Sequence, residues 1–376
     1  MNIDKLCLYC MNEKAKGTQL CEHCGHTPED CRGKAHQLEP YTILNGQYLI
    51  GRVLGEGGFG ITYLCFDLLN EKKVAVKEMY ISGRVRRRNT TVTLNDKTEK
   101  GVLFYNACKE KFLQEAKALS QLEDKNGVVS ILDYFEENAT AYIVMEYLEG
   151  EDLKSYLARQ GGRVSYQEAF SLLRPVMKSM ICVNQAGIIH RDISPDNIRC
   201  LSSGYIKIMD FGSAKEIENF GSQSIVTLKE GYAPKEQYRP DYKVGPWMDV
   251  YSMSATFYRC VTGEKPKSAA VRENNHDLKP FASYGIKVPE TVEQVIRKGL
   301  ALRPEDRYQD MWSLYQALKK VCIGEPAVSS AGQEDSPSAD SGKGGQAALL
   351  LANPWIWGMA AAWFLVLMII ITRIRG

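Results

Sequence analysis

The chemistry of this chain concentrates in two short runs. His190-Arg191-Asp192-Ile193-Ser194-Pro195-Asp196-Asn197 is followed closely by Asp210-Phe211-Gly212. Asp192 can accept a proton from an attacking hydroxyl, and Asn197 and Asp210 offer the hard oxygen ligands that Mg²⁺ prefers. Upstream, Gly55-Glu56-Gly57-Gly58-Phe59-Gly60 holds three glycines in G-x-G-x-x-G spacing, and Lys77 follows. Glycines let backbone amides approach phosphates closely, and a lysine supplies a cation for them. A base, two metal ligands, a cation and a phosphate-cradling backbone are the parts of phosphoryl transfer, which depends mainly on positioning and charge neutralisation.

Elements must bring these groups together. The glycine spacing alone also fits dinucleotide binding, but that loop opens a helix. Here Ile61 to Phe66 is β-branched and aromatic and reads as a strand, and Lys72 to Lys77 reads as another. Phe112, Leu113, Ala116, Leu119 and Leu122 fall at helical spacing, predicting a helix over Lys111 to Leu122. Glu115 lies on it as the expected acidic partner of Lys77, with Glu110 as the weaker candidate. Between them, Arg84 to Arg88 and Thr90 to Leu94 suggest a basic loop and a short extra hairpin, read as a solvated insertion in preference to a docking site. Ala141 to Gly150 reads as a buried strand running into an extended segment.

Taken together, HRDISPDN, DFG and the glycine-rich loop before Lys77 resemble the Hanks-type, eukaryotic-like protein kinases. The phrases GEGGFGITYL, HRDISPDNI and GYAPKEQY resemble bacterial serine/threonine kinases in particular. The resemblance implies an α+β, bilobal kinase fold over residues 47–323, with a β-rich N-lobe (47–148) and a helical C-lobe (149–323). It further implies ATP and Mg²⁺ as cofactors and proteins as substrates. Glu146 to Leu148 would be the hinge that hydrogen-bonds adenine, behind Met145; an ordinary core strand is the other reading. Glu236 in Gly231-Tyr-Ala-Pro-Lys-Glu-Gln237 would pair with Arg307, and Asp249 would brace the catalytic loop. Ser222, Ser224 and Thr227 are candidates for a phosphate that Arg191 would meet.

Two departures go together. Ser194 stands where serine/threonine kinases carry lysine, and Lys229 stands where they carry an activation-segment threonine. An exchange follows as the expectation, with Lys229 supplying the cation and Ser194 the hydroxyl; an exposed Lys229 is the alternative. Ser254 also replaces the glycine usual in the central helix.

Outside this domain the composition changes. The net charge of +2 gives no polyanion-binding signal, and no nucleic-acid partner is expected. Seven of the eleven cysteines are scattered singly, as in a reduced, cytosolic chain. The other four form Cys7-x-x-Cys10 and Cys21-x-x-Cys24, separated by ten residues. These two knuckles predict a structural Zn²⁺ ribbon over residues 1–36, a segment too poor in apolar residues for a core of its own. A redox dithiol is the alternative, and His23, His26 and Cys31 are substitutes or bystanders. Residues 37–46 read as a linker.

Residues 324–346 are rich in Ser, Gly and Ala and read as a flexible linker. Within residues 347–372, Pro354 to Ile371 are eighteen apolar residues, about 27 Å of helix, long enough to span a bilayer. The expectation is a single-pass membrane helix with a short tail, 373–376, and a kinase domain on the cytoplasmic side, where ATP is. Arg373 and Arg375 after the span oppose that orientation, but the need for ATP outweighs two charges. The leading reading is an active, membrane-anchored kinase that phosphorylates proteins and itself, with dimerisation for transfer in trans. A pseudokinase-like scaffold working through its ribbon and anchor, and a small-molecule kinase, are the competitors.

Overall fold

The structure is a computed structural model that describes residues 3–15, 18, 20–122, 126–211, 229–238, 243–275 and 278–324. The expected linker beyond Gly324, the expected membrane span and tail, and Ser222, Ser224 and Thr227 lie outside the described residues. Among the described residues no helix is long and apolar enough to cross a membrane.

Runs of buried apolar residues, many β-branched or aromatic, build an antiparallel N-lobe sheet from β1 (Ile43–Leu44), β2 (Tyr48–Gly57), β3 (Gly60–Asp67) and β4 (Lys72–Met79). A hairpin of β5 (Val85–Arg88) and β6 (Thr91–Leu94) and the helix α1 (Glu99–Ser120) come next, before β7 (Ile131–Glu137) and β8 (Thr140–Glu146) complete the sheet. Its strand order is β1-β2-β3-β4-β8-β7. The C-lobe begins with β9 (Gly150–Asp152), α2 (Leu153–Arg159) and α3 (Tyr166–Gln185). The strands β10 (Ile198–Leu201) and β11 (Ile206–Ile208) form a small sheet with β9. The helices α4 (Trp247–Thr262), α5 (Ala269–Asn275), α6 (Glu290–Gly299) and α7 (Met311–Ile323) finish the lobe.

Helix α4 is buried on nearly every face, which fixes it as the lobe's centre. Ser254 finds its room there because Gly299 of α6 lacks a side chain: a Cβ at Gly299 would lie 2.0 Å from Ser254 Oγ. The hydroxyl donates to Val250 O at 2.8 Å, so no buried polar atom is stranded by the departure from glycine.

Four expectations change. Helix α1 starts at Glu99, twelve residues before Lys111, with Thr98 Oγ1 accepting from Gly101 N as an N-cap. The hairpin insertion is present, but it is not simply solvated. Arg87 is buried, with Nη2 on Glu78 at 2.5 Å, Nη1 on Thr90 O and Nε on His36 O, both at 2.7 Å. The expected linker 37–46 is packed, since Leu38 and Leu44 are buried and β1 pairs with β2. Finally, the N-terminal segment does share a core. Leu6, Leu8, Met11 and Cys31 pack on Leu49, Leu64 and Phe66 of the outer sheet face. Gly51 permits that approach, because a Cβ there would lie 2.3 Å from Leu8 O.

Candidate active site

The two lobes enclose a cleft of about 620 Å³ lined by the glycine-rich loop, Lys77, Asp192, Asn197, Asp210 and Lys229. The β2–β3 hairpin supplies its roof. A Cβ at Gly55, Gly57 or Gly58 would meet nothing within 4 Å, so this backbone stands over open space. Gly60 serves a different need: a Cβ there would lie 2.7 Å from Glu78 O of the neighbouring strand.

Lys77 projects from β4, and its Nζ lies 3.1 Å from Asp210 Oδ1. Burial disfavours the Lys77 ammonium, but the charges of Asp210 and then Glu115 outweigh it and hold its pKa above the ordinary value. Asp210 thus stands at hydrogen-bond distance from Lys77, and Glu115 also favours its charged form. Glu115 sits on α1 and lines the same cleft. Burial likewise opposes the Asp210 carboxylate, but Lys77 holds its pKa below the usual carboxylate range.

The floor is braced from beneath. Buried Asp249, at the start of α4, accepts from His190 N and Arg191 N at 2.9 Å each and from Asn184 Nδ2 at 3.0 Å. Burial raises its pKa, with those three donors working against the rise. Asn197 Nδ2 donates to Asp192 O at 2.8 Å, which commits the amide nitrogen and leaves the carbonyl oxygen as the atom able to take a cation. Arg191 and Asp210 adopt φ of 63° and 59°, left-handed backbone that non-glycine residues hold at a cost where the surrounding structure demands it. Glu236 and Arg307 form a buried bidentate pair at 2.5 and 3.0 Å.

Lys229 reaches into this floor. Its Nζ donates to Ser194 Oγ at 2.8 Å and lies 3.8 Å from both Asp192 Oδ2 and Asp196 Oδ2. Residues 194 and 229 thus meet beside the base, with cation and hydroxyl traded between them.

At the hinge, the Glu146 carboxylate is occupied by Lys207 and by Ser130 N at 2.7 Å. The Glu146 N–H is committed as well, donating to Ser130 O at 3.0 Å. Met145 and Leu148 also line the cleft.

The four N-terminal thiols form a second centre. The sulfurs of Cys7, Cys10, Cys21 and Cys24 lie within 4.8 Å of one another. Cys7 and Cys24 are 3.7 Å apart, and Cys10 and Cys21 are 3.8 Å apart. Burial opposes the Cys21 thiolate, but backbone N–H groups of His23 and Cys24 prevail and bring its pKa down to about 7. His26 stands aside, stacked on Tyr9 at 3.5 Å. Sequence reasoning missed Arg52, which holds this module by donating through N to Leu8 O at 3.1 Å and through Nε to Tyr9 O at 2.8 Å.

A two-lobed fold with a nucleotide-sized cleft, a glycine loop above and a base with paired metal ligands below defines a protein kinase. The family model described as the protein kinase domain matches residues 48–320, and the chain belongs to this family. Its relatives are bacterial serine/threonine-protein kinases. PrkC of Bacillus subtilis is 30% identical over 71% of this chain and 39% of its own length. PknB of Mycobacterium tuberculosis (strain H37Rv) is 29% identical over 75% of this chain and 44% of its own length. Among solved structures, PpkA-294 in its apo form is 30% identical with a TM-score of 0.64, over 75% of this chain and 99% of that one. The chain therefore spans about two fifths of the length of these curated relatives, and the match lies in the kinase domain.

Proposed function

We propose that this protein transfers the γ-phosphate of ATP to serine and threonine hydroxyls of proteins, itself included. The carrying observation is that the glycine loop, Lys77, Asp192, Asn197, Asp210 and Lys229 line one cleft. The loop backbone from Gly55 to Gly60 cradles the phosphates, Lys77 orients them, and the backbone of Glu146 to Leu148 receives adenine. Asn197 and Asp210 would hold Mg²⁺, which when bound would neutralise charge on the transferring group. Asp192 accepts the proton of the attacking hydroxyl. Lys229, steadied by Ser194, supplies the cation beside that hydroxyl.

The four thiols fit Zn²⁺ well. A tetrahedral site with Zn–S near 2.3 Å places its sulfurs about 3.8 Å apart, and two of the sulfur pairs already have 3.7 and 3.8 Å. Such an ion would cross-link the knuckles of a segment whose small core is shared with the kinase sheet. Residues 347–372 anchor the chain in the cell membrane with the kinase domain cytoplasmic. Protease protection of a C-terminal tag in intact cells would contradict that orientation. Self-phosphorylation in trans would use a second copy of the chain.

The test is incubation of the purified full-length chain with labelled ATP, Mg²⁺ and a generic protein substrate, followed by phosphoamino-acid analysis. Label on phosphoserine and phosphothreonine is expected. A folded protein that transfers nothing would instead favour the scaffold reading.

A further inference from the structure

The segment between the cysteine knuckles and β1 touches the roof of the cleft. Glu56, inside the glycine-rich loop, is met by three side chains from that segment. Lys34 Nζ lies 3.2 Å from Oε2, His36 Nε2 lies 2.7 Å from Oε1, and Gln37 Nε2 donates to Oε2 at 2.8 Å. These contacts offset the burial that would raise the Glu56 carboxyl and hold its pKa below the ordinary value.

The strap is itself fixed at several points. Arg87 Nε donates to His36 O at 2.7 Å while its Nη2 is locked on buried Glu78. Leu38 N donates to Tyr63 Oη at 3.0 Å, and Tyr63 Oη donates to Glu78 at 3.0 Å. Gln37 Oε1 accepts from Lys34 N at 2.8 Å, which presets the Gln37 side chain for Glu56. At its other end the strap continues into Cys31, part of the small core that the module shares with the sheet. A loop over open space is thus tied to a buried network on one side and to the four-thiol module on the other.

We propose that Lys34, His36 and Gln37 are positioning residues that hold the phosphate-binding loop through Glu56, so that the four-thiol module sets nucleotide affinity. The proposal rests on the kinase reading. The strap steadies a glycine-rich hairpin that would otherwise lose entropy on binding. It also neutralises a carboxylate that would otherwise face the triphosphate.

The test measures the Kd of a fluescent-labelled ATP analogue for the full-length chain, with metal content and melting curve recorded for each sample. Replacing the three residues together (Lys34→Ala, His36→Ala, Gln37→Ala) should weaken binding about five- to tenfold, as expected for lost polar contacts of modest net worth. The metal content and melting curve should stay as in the parent. In a Glu56→Ala background the same triple replacement should change Kd by less than about twofold, because the shared partner is gone. Stripping the metal with a chelator should weaken binding in the parent and not in Glu56→Ala. Unchanged affinity in the triple variant, or an equal loss with and without Glu56, overturns the strap. A parent chain that binds no nucleotide overturns the kinase reading and the strap with it.

Discussion

The floor and the roof of the cleft are held by opposite means. Beneath the catalytic loop, Asp249, Glu236 and Arg307 are buried; Asp249 accepts from three donors, and Arg307 grips both oxygens of Glu236. Above it, the loop from Gly55 to Gly58 is exposed and tied through one carboxylate to exposed Lys34, half-buried His36 and buried Gln37. Buried charges that lose a partner are costly, whereas exposed contacts are individually weak. The floor is therefore fixed for as long as the C-lobe is folded, and the roof can be adjusted from outside.

Breaking the floor should give the largest effect. Glu236→Ala leaves Arg307 buried without its carboxylate and should cost about 3–5 kcal/mol of folding stability in denaturant titration. A loss within the error of the titration would mean that the pair contributes nothing to the rigidity of the floor. Lys229→Ala comes next. It should lower kcat about a hundredfold with little change in the KM for ATP, as loss of a transition-state cation does. The double exchange Ser194→Lys, Lys229→Thr should recover most of that loss, and full activity in Lys229→Ala would end the idea of a trade. The smallest effect belongs to the roof, where releasing the strap changes nucleotide affinity alone and leaves the melting curve in place.

The floor was the more legible of the two in the sequence. Asp192, Asn197, Asp210, Asp249 and Arg307 are residue types that their chemistry dictates, at spacings set by one loop and one helix. The meeting of Ser194 and Lys229 was legible as well, because two departures from one pattern exchange a cation and a hydroxyl. What the sequence concealed depends on partners far along the chain. The N-terminal segment lacks apolar residues for a core because Leu49, Leu64 and Phe66 of the sheet supply part of it. Arg87 cannot be told from Arg86 or Arg88 by composition. Its alternation with Val85 along β5 was the available signal, since strand residues two apart share a face. The early start of α1 was masked by exposed Val102 and Leu103, although Tyr105, Cys108 and Phe112 already carry the helical spacing. Glu56 was legible only as a member of the nucleotide-binding loop; its ties to Lys34, His36 and Gln37 join residues far apart in the chain and left no local pattern.

Phosphoryl transfer by the full-length chain, compared with Asp192→Asn, tests the site most directly. The side chain of Asp192 is part-buried beside Lys229, and the substitution keeps its shape while removing the base. The parent chain should label protein serine and threonine, and Asp192→Asn should bind nucleotide normally and lose about a thousandfold in kcat. Equal transfer by both proteins, or none by a folded, nucleotide-binding parent, would contradict it.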